Sequence, residues 1–262
     1  MSNIPFIQSQ GPDEDGSAGD VLLFLHGIGG DNRSFNQQLP AFADRWRAVS
    51  WDMPGYGQSA QLDEMTFPAL ADAVAGLLDH LDAPRAVIVG HSMGGMVAQE
   101  FVIRHPGRTA ALVLSSTSPA FGKPGKWRDG FLGQRLAPLD KGLSPADFAA
   151  ELVPNMMADN PPAEAVVAAM ASMSELSAET YRAALHCLVT FNRRDNLENI
   201  DCPTLALAAD MDEAAPAGMM EKMAGNIPDC RYHCLSGVGH LANLEDPENF
   251  NKAVRSFLNE VA

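Results

Sequence analysis

Ala86-Val87-Ile88-Val89-Gly90-His91-Ser92-Met93-Gly94-Gly95 is the stretch on which the reading of this 262-residue chain turns. The apolar run Ala86 to Val89 reads as a buried strand, Gly90-x-Ser92-x-Gly94 as a sharp turn, and Met96 to His105 as a helix. A serine at the apex of a strained strand-to-helix turn has its hydroxyl lifted clear of the backbone. Gly90 and Gly94 flank that serine where a β-carbon is expected to strike the opposite arm of the turn. The pentapeptide alone fixes only three positions, so the strand before it and the helix after it supply the specificity.

Outward from this turn, strand and helix signals alternate. Val21 to Leu25 is continuously apolar, as a strand covered on both faces must be. Ala48 to Asp52 is the next strand and leads into the turn-rich Pro54-Gly55-Tyr56-Gly57. Ala110 to Ser115 follows the helix after Ser92, and Thr204 to Ala208 and Arg231 to Leu235 complete the series, with one or two edge strands within Ile4 to Gln10. Phe67 to Leu81 spaces Leu70, Val74, Leu77, Leu78 and Leu81 by threes and fours, which predicts an amphipathic helix. Asp246-Pro247 opens the last helix, which is expected to bury Phe250, Val254, Phe257 and Leu258. The pattern predicts an α/β fold with a mostly parallel, doubly wound sheet.

Between Ser116 and about Ile200 the alternation stops, and short helices broken by prolines take its place. The expected division is a core of residues 1–117 and 201–262 with a helical cap, or lid, inserted at 118–200. Met156, Met157, Met170 and Met173 in that insertion suit a soft substrate pocket or ordinary packing under a cap.

A net charge of −15 and a pI near 4.7 argue against nucleic acid and anionic membranes and suit a small-molecule substrate. Met1 to Gln10 lacks a basic stretch followed by an apolar core, and no apolar run is long enough to span a bilayer, so a cytoplasmic location is expected. Cys187, Cys202, Cys230 and Cys234 do not make a disulfide framework and read as reduced, mostly buried thiols. A strand puts His233 on the face opposite Cys230 and Cys234, so no metal site is expected there.

A serine hydroxyl needs an adjacent base, and the base an orienting acid. In a sheet of this plan they follow in the order serine, acid, histidine. Of the seven histidines, only His240 lies in a loop after the final strand, where Gly237 and Gly239 let the chain turn back over the strand ends. The acid belongs after Thr204 to Ala208, where Asp210 and Asp212 both stand; the position after Ala110 to Ser115 holds no carboxylate. The oxyanion of an acyl-transfer intermediate needs two backbone N–H donors. Met93, after the serine, supplies one. The loop His26-Gly27-Ile28-Gly29-Gly30 supplies the other, with Ile28 preferred and Gly29 second. No lysine follows these glycines at phosphate-loop spacing, and His26 reads as a loop-fixing hydrogen-bonder.

Taken together, the His26-Gly27 loop, the Asp52-to-Ser59 turn, the Gly90-to-Gly95 turn, Asp212 with Pro216, and Gly239-His240 resemble the α/β-hydrolase family over nearly the whole chain. The resemblance implies that the acid is the aspartate four residues before a proline, Asp212, and that Asp52 and Ser59 are structural. Ser92 disfavours the haloalkane dehalogenases and epoxide hydrolases, which carry aspartate at that turn. His91 departs from the Gly-Asn-Ser common in C–C bond hydrolases of ring-fission products. Within the family the chain resembles 3-oxoadipate enol-lactonases and small carboxylesterases. The implied activity is that of a serine hydrolase of esters or lactones, with no cofactor. Alternatives are C–C bond hydrolysis, acyl transfer or perhydrolysis on the same triad, and a ligand-binding receptor that keeps a residual triad. A carboxylate-bearing lactone would want a cation; Arg128, Arg135, Arg182, Arg193 and Arg194 lie in the cap segment, most of them expected at the solvated surface.

Overall fold

The apolar runs become strands because helices cover them from both sides. The computed structural model describes residues 4–12, 20–122 and 125–261. Its strands are β1 (Ile7–Gln10), β2 (Val21–Leu25), β3 (Arg47–Trp51), β4 (Ala86–His91), β5 (Thr109–Ser115), β6 (Thr204–Ala209) and β7 (Cys230–Leu235). They form one sheet in the order β1-β3-β2-β4-β5-β6-β7, parallel except for β1, which pairs antiparallel with β3. Successive side chains of a strand serve opposite cores. Leu22 and Phe24 of β2 pack with α1 (Leu39–Phe42) and the last helix, whereas Leu23 and Leu25 face α2 (Phe67–His80) and α3 (Met93–Arg104).

The order of the strands creates the site. The chain runs outward from β2 to β3, then returns to lay β4 on the other side of β2. A crevice opens at such a switch point, beyond the carboxyl ends of the two neighbouring strands. Leu25 pairs with Gly90, so the loop after β2 and the turn after β4 emerge side by side.

The helix after Ser92 starts at Met93, three residues earlier than the sequence suggests. Gly94 and Gly95 are poor helix formers, but the close fit at this point demands them. A β-carbon on Gly90 would stand 2.5 Å from the Gly94 carbonyl oxygen, on the opposite arm of the turn, as expected. Gly94 departs from that expectation: its β-carbon would meet the end of β2, 2.1 Å from the Leu25 carbonyl oxygen. A β-carbon on Gly95 would lie 2.7 Å from the Thr117 side chain.

Between β5 and β6 the chain forms α4 (Lys126–Asp140), α5 (Pro145–Leu152), α6 (Ala163–Glu175) and α7 (Ala178–Leu188), with 3₁₀ turns at Pro154–Met156 and Arg194–Asn199. The two ends of this excursion are pinned together: Phe121 N–H donates to the Phe191 carbonyl at 3.0 Å and Arg193 N–H to the Pro119 carbonyl at 2.7 Å. After β6 come α8 (Ala217–Ala224), α9 (Ala242–Glu245) and α10 (Pro247–Val261). Asp246 caps α10 through the Asn249 amide, and Phe250, Val254, Phe257 and Leu258 are buried. β7 is an edge strand, so Cys230 and Cys234 are half-buried, unlike the buried Cys187 and Cys202. Among the described residues no helix is long and apolar enough to cross a membrane.

Candidate active site

Ser92 stands between β4 and α3 with φ 52° and ψ −118°, a conformation costing a non-glycine residue on the order of 1–3 kcal/mol. The surrounding bonds hold it there. Ser92 N–H donates to the Ser115 carbonyl at 3.0 Å, and the Ser92 carbonyl accepts from Gly95 N–H and from the Thr117 hydroxyl at 2.7 Å.

His240 and Asp212 reach this serine from two later loops. His240 Nε2 lies 2.9 Å from Ser92 Oγ, and His240 Nδ1 lies 2.9 Å and 3.0 Å from the two Asp212 oxygens. An ionised carboxylate only accepts, so Nδ1 carries the ring proton and Nε2 is left to accept from the serine hydroxyl. Asp212 also accepts the Ala214 and Ala215 amides, each at 2.8 Å. Burial opposes its charge, but the hydrogen bond and charge of His240, together with the Ala215 amide, hold the carboxyl below its ordinary range. Asp210, two residues earlier, points elsewhere: it accepts from the Ser236 hydroxyl and the Gly237 amide and is exposed.

Other side chains of the site act on backbone. His26 is fully buried, donates Nδ1–H to the Gly27 carbonyl at 2.8 Å and accepts Met53 N–H at Nε2 at 3.0 Å. That bond fixes the Gly27–Ile28 peptide plane, and with it the direction of the Ile28 N–H. The Tyr56 hydroxyl fixes the next peptide by donating to the Ile28 carbonyl at 2.9 Å. Among the described residues the Ile28 and Met93 amides have no backbone acceptor. Asp52 takes the Asn32 and Gln58 amides, and Ser59 donates to the Asp52 carbonyl, so both serve the turn.

Two residues to which sequence reasoning assigned no part in the site hold the His240 loop. His91 Nε2 donates to the His240 carbonyl at 2.8 Å. Glu245 accepts the amides on either side of His240, Gly239 at 3.0 Å and Leu241 at 3.1 Å, and also Ala158 N–H at 2.8 Å. His240 N–H in turn donates to the Met156 carbonyl at 2.8 Å. Gly237, at φ 76°, supplies the turn that its position suggests. Gly239 serves close approach instead, since a β-carbon there would lie 2.6 Å from the Met157 backbone. The only signal in the sequence for these roles is the spacing of His91 and Glu245 from Ser92 and His240.

The buried histidines give the fold a pH dependence. Burial lowers His26, and burial with the neighbouring His240 pushes His91 down to about 3. Both stay neutral while the unfolded chain takes up protons below about pH 6.5, so stability is lost as the pH falls from there. The urea midpoint is expected to drop between pH 7.5 and pH 5, and His91→Asn to narrow that drop. An equal drop in the variant would contradict this role for His91.

Beside Ser92 lies a cleft of about 50 Å³, walled by the loop Gly27 to Gly30, by Val153, Met156 and Met173 from the insertion, and by Leu241 and Leu244. Met157 instead borders a second cavity, of about 410 Å³, on the Asp212 side of His240. Met170 packs against the core. The arginines of the insertion lie away from the cleft. Arg193 pairs with buried Glu100 at 2.7 and 2.8 Å, Arg182 with Asp140, Arg194 with the Gly122 carbonyl, and Arg135 lies over the Phe131 ring.

The model of the alpha/beta hydrolase fold family matches residues 20–247. The chain belongs to that family. It is 28% identical to 3-oxoadipate enol-lactonase 2 of Acinetobacter baylyi, over 91% of this chain and 88% of the relative. It is 28% identical to a pimeloyl-[acyl-carrier protein] methyl ester esterase of Vibrio vulnificus, over 95% of each. A thermophilic esterase from Thermogutta terrifontis superposes with a TM-score of 0.86 at 28% identity, covering 98% of this chain and 93% of that one. The fold class and the family resemblance read from the sequence hold.

Proposed function

We propose that the chain is a serine hydrolase of carboxylic esters or lactones, with residues 118–200 acting as a cap over a small-molecule substrate. The observation that carries this reading is the continuous hydrogen-bonded line from Ser92 Oγ through the His240 ring to Asp212, at the edge of a cleft. Similarity to proteins named as a lactonase, a methyl ester esterase and an esterase supports it.

In this mechanism His240 Nε2 takes the Ser92 proton as Oγ attacks the substrate carbonyl carbon. The Met93 and Ile28 amides hold the oxyanion, and Asp212 stabilises the imidazolium. The tetrahedral intermediate collapses, the C–O bond to the alcohol breaks, and His240 gives its proton to the departing oxygen. Water, deprotonated by His240, then attacks the acyl-enzyme, and the acid leaves as Ser92 regains its proton. These steps use only the chain's own groups.

A pH-stat assay on short esters and lactones tests the reading. One equivalent of acid per bond, over many turnovers, is expected. Turnover of a vinylogous diketone with none of any ester or lactone would move the reading to C–C bond hydrolysis.

Glu245 is a positioning residue in this account, because it reaches the reaction only through the backbone around His240. Glu245→Gln places an amide donor against backbone donors. It is expected to lower kcat about ten- to a hundredfold with little change in KM, and to cost on the order of 1–3 kcal/mol of stability. Wild-type kcat combined with a lower Tm would reduce Glu245 to a purely structural part.

A further inference from the structure

We infer that the cleft beside Ser92 takes short, uncharged acyl groups and turns away acyl groups ending in a carboxylate; this rests on the reading of Ser92 as the nucleophile. The cleft is narrow, about 50 Å³, which suits an acyl chain of a few carbons. Its walls are mainly apolar, from Ile28, Val153, Met156, Ala169, Met173 and Leu244.

Three polar side chains of that wall hydrogen-bond to the protein. Ser172 Oγ donates to Asp31 Oδ1 at 3.0 Å, Ser34 Oγ accepts Asp31 N–H at 3.1 Å, and Asn243 Nδ2 donates to the Ser34 carbonyl at 2.8 Å. The Ser172 hydroxyl therefore offers the cleft lone pairs, with a carboxylate behind it. Arg33, next to Ser34 in the chain, is held by Asp31 and by Glu175 at 2.8 Å and borders an adjoining cavity that shares Ser34, Ser172 and Leu244 with the cleft. On the far side of His240 the second cavity is bordered by Asp159, Asp210, Asp212 and Glu213. No lysine or arginine is among the described residues lining the cleft. A carboxylate entering it would lose water, gain no counter-ion from the lining, and face the carboxylates beyond His240, while Asp31 on the other side is already paired with Arg33. The similarity to a lactonase named for 3-oxoadipate thus does not extend to a charged substrate here.

The test compares two esters of matched shape, methyl 4-methylpentanoate and monomethyl succinate, in a pH-stat at low and high salt. Methyl butyrate and methyl octanoate report on length. The neutral member of the pair is expected to have a kcat/KM about a hundredfold higher or more, with the gap narrowing as salt screens the repulsion, and butyrate to exceed octanoate. Equal or faster hydrolysis of monomethyl succinate, or of octanoate, overturns the inference. If no ester is cleaved while an uncharged fluorophosphonate still labels Ser92, the inference on acyl class falls and the nucleophile stands. If the label also fails, the reading of Ser92 falls and takes this inference with it.

Discussion

Ser92→Ala is expected to abolish turnover of short esters, lowering kcat by about a millionfold while leaving the fold intact. The size of the loss follows from the hydroxyl's place in the proposed mechanism, in which no acyl-enzyme forms without Oγ and His240 would have no proton to take. Alanine meets the same backbone demand at φ 52° as serine does, and the bonds that fix the turn run through the Ser92 amide and carbonyl, which the substitution keeps. Thermal unfolding should accordingly move little. A variant that unfolds like the wild type yet cleaves esters at the wild-type rate would place the chemistry elsewhere.

The second large effect separates two aspartates that sequence spacing alone leaves tied. Asp212→Asn keeps the shape of the side chain but can present its amide N–H to Nδ1, favouring the imidazole tautomer with its proton on Nε2. That proton then faces Ser92, and the base is lost; a loss of about ten-thousandfold in kcat is expected. Asp210→Asn should cost less than about tenfold, because Asp210 holds only the Ser236 hydroxyl and the Gly237 amide at the start of the His240 loop. Steady-state kinetics on both variants decide the matter. Comparable losses would mean that the carboxylate beside Nδ1 has no special part.

The difference between these aspartates illustrates what a sequence carries and what it does not. Strands such as Val21–Leu25 and Thr204–Ala209 are legible because burial on both faces demands an unbroken apolar run. The order of those strands is not legible, since pairing β2 with β4 joins residues about 65 apart in the chain and no local pattern records it. That Ser92 and His240 come together is expected from glycines and loop position, and the choice of Asp212 over Asp210 only from the family resemblance; the structure places all three in one hydrogen-bonded line. His91 and Glu245 stay hidden because they act on backbone amides and carbonyls, which any sequence supplies. Gly94 misleads for the same kind of reason: its neighbour is the end of β2, distant in sequence and adjacent in the sheet.

The inserted helices are the least legible part. Most of their prolines mark breaks, although Pro138 lies inside α4. Which methionine meets the cleft depends on how α5 and α6 settle over the His26–Gly30 loop. Met156 and Met173 border the cleft, whereas Met157 and Met170 do not, and nothing in their spacing separates the pairs.

The imidazole 2.9 Å away is expected to make the serine hydroxyl after β4 reactive. Reaction of the folded protein with a fluorophosphonate, read by peptide mass mapping, is the most direct measurement. One label per chain on Ser92, lost in Ser92→Ala and slowed at least a hundredfold in His240→Ala, is the expected result. Labelling at another residue, or labelling of Ser92 at an unchanged rate without His240, would contradict it.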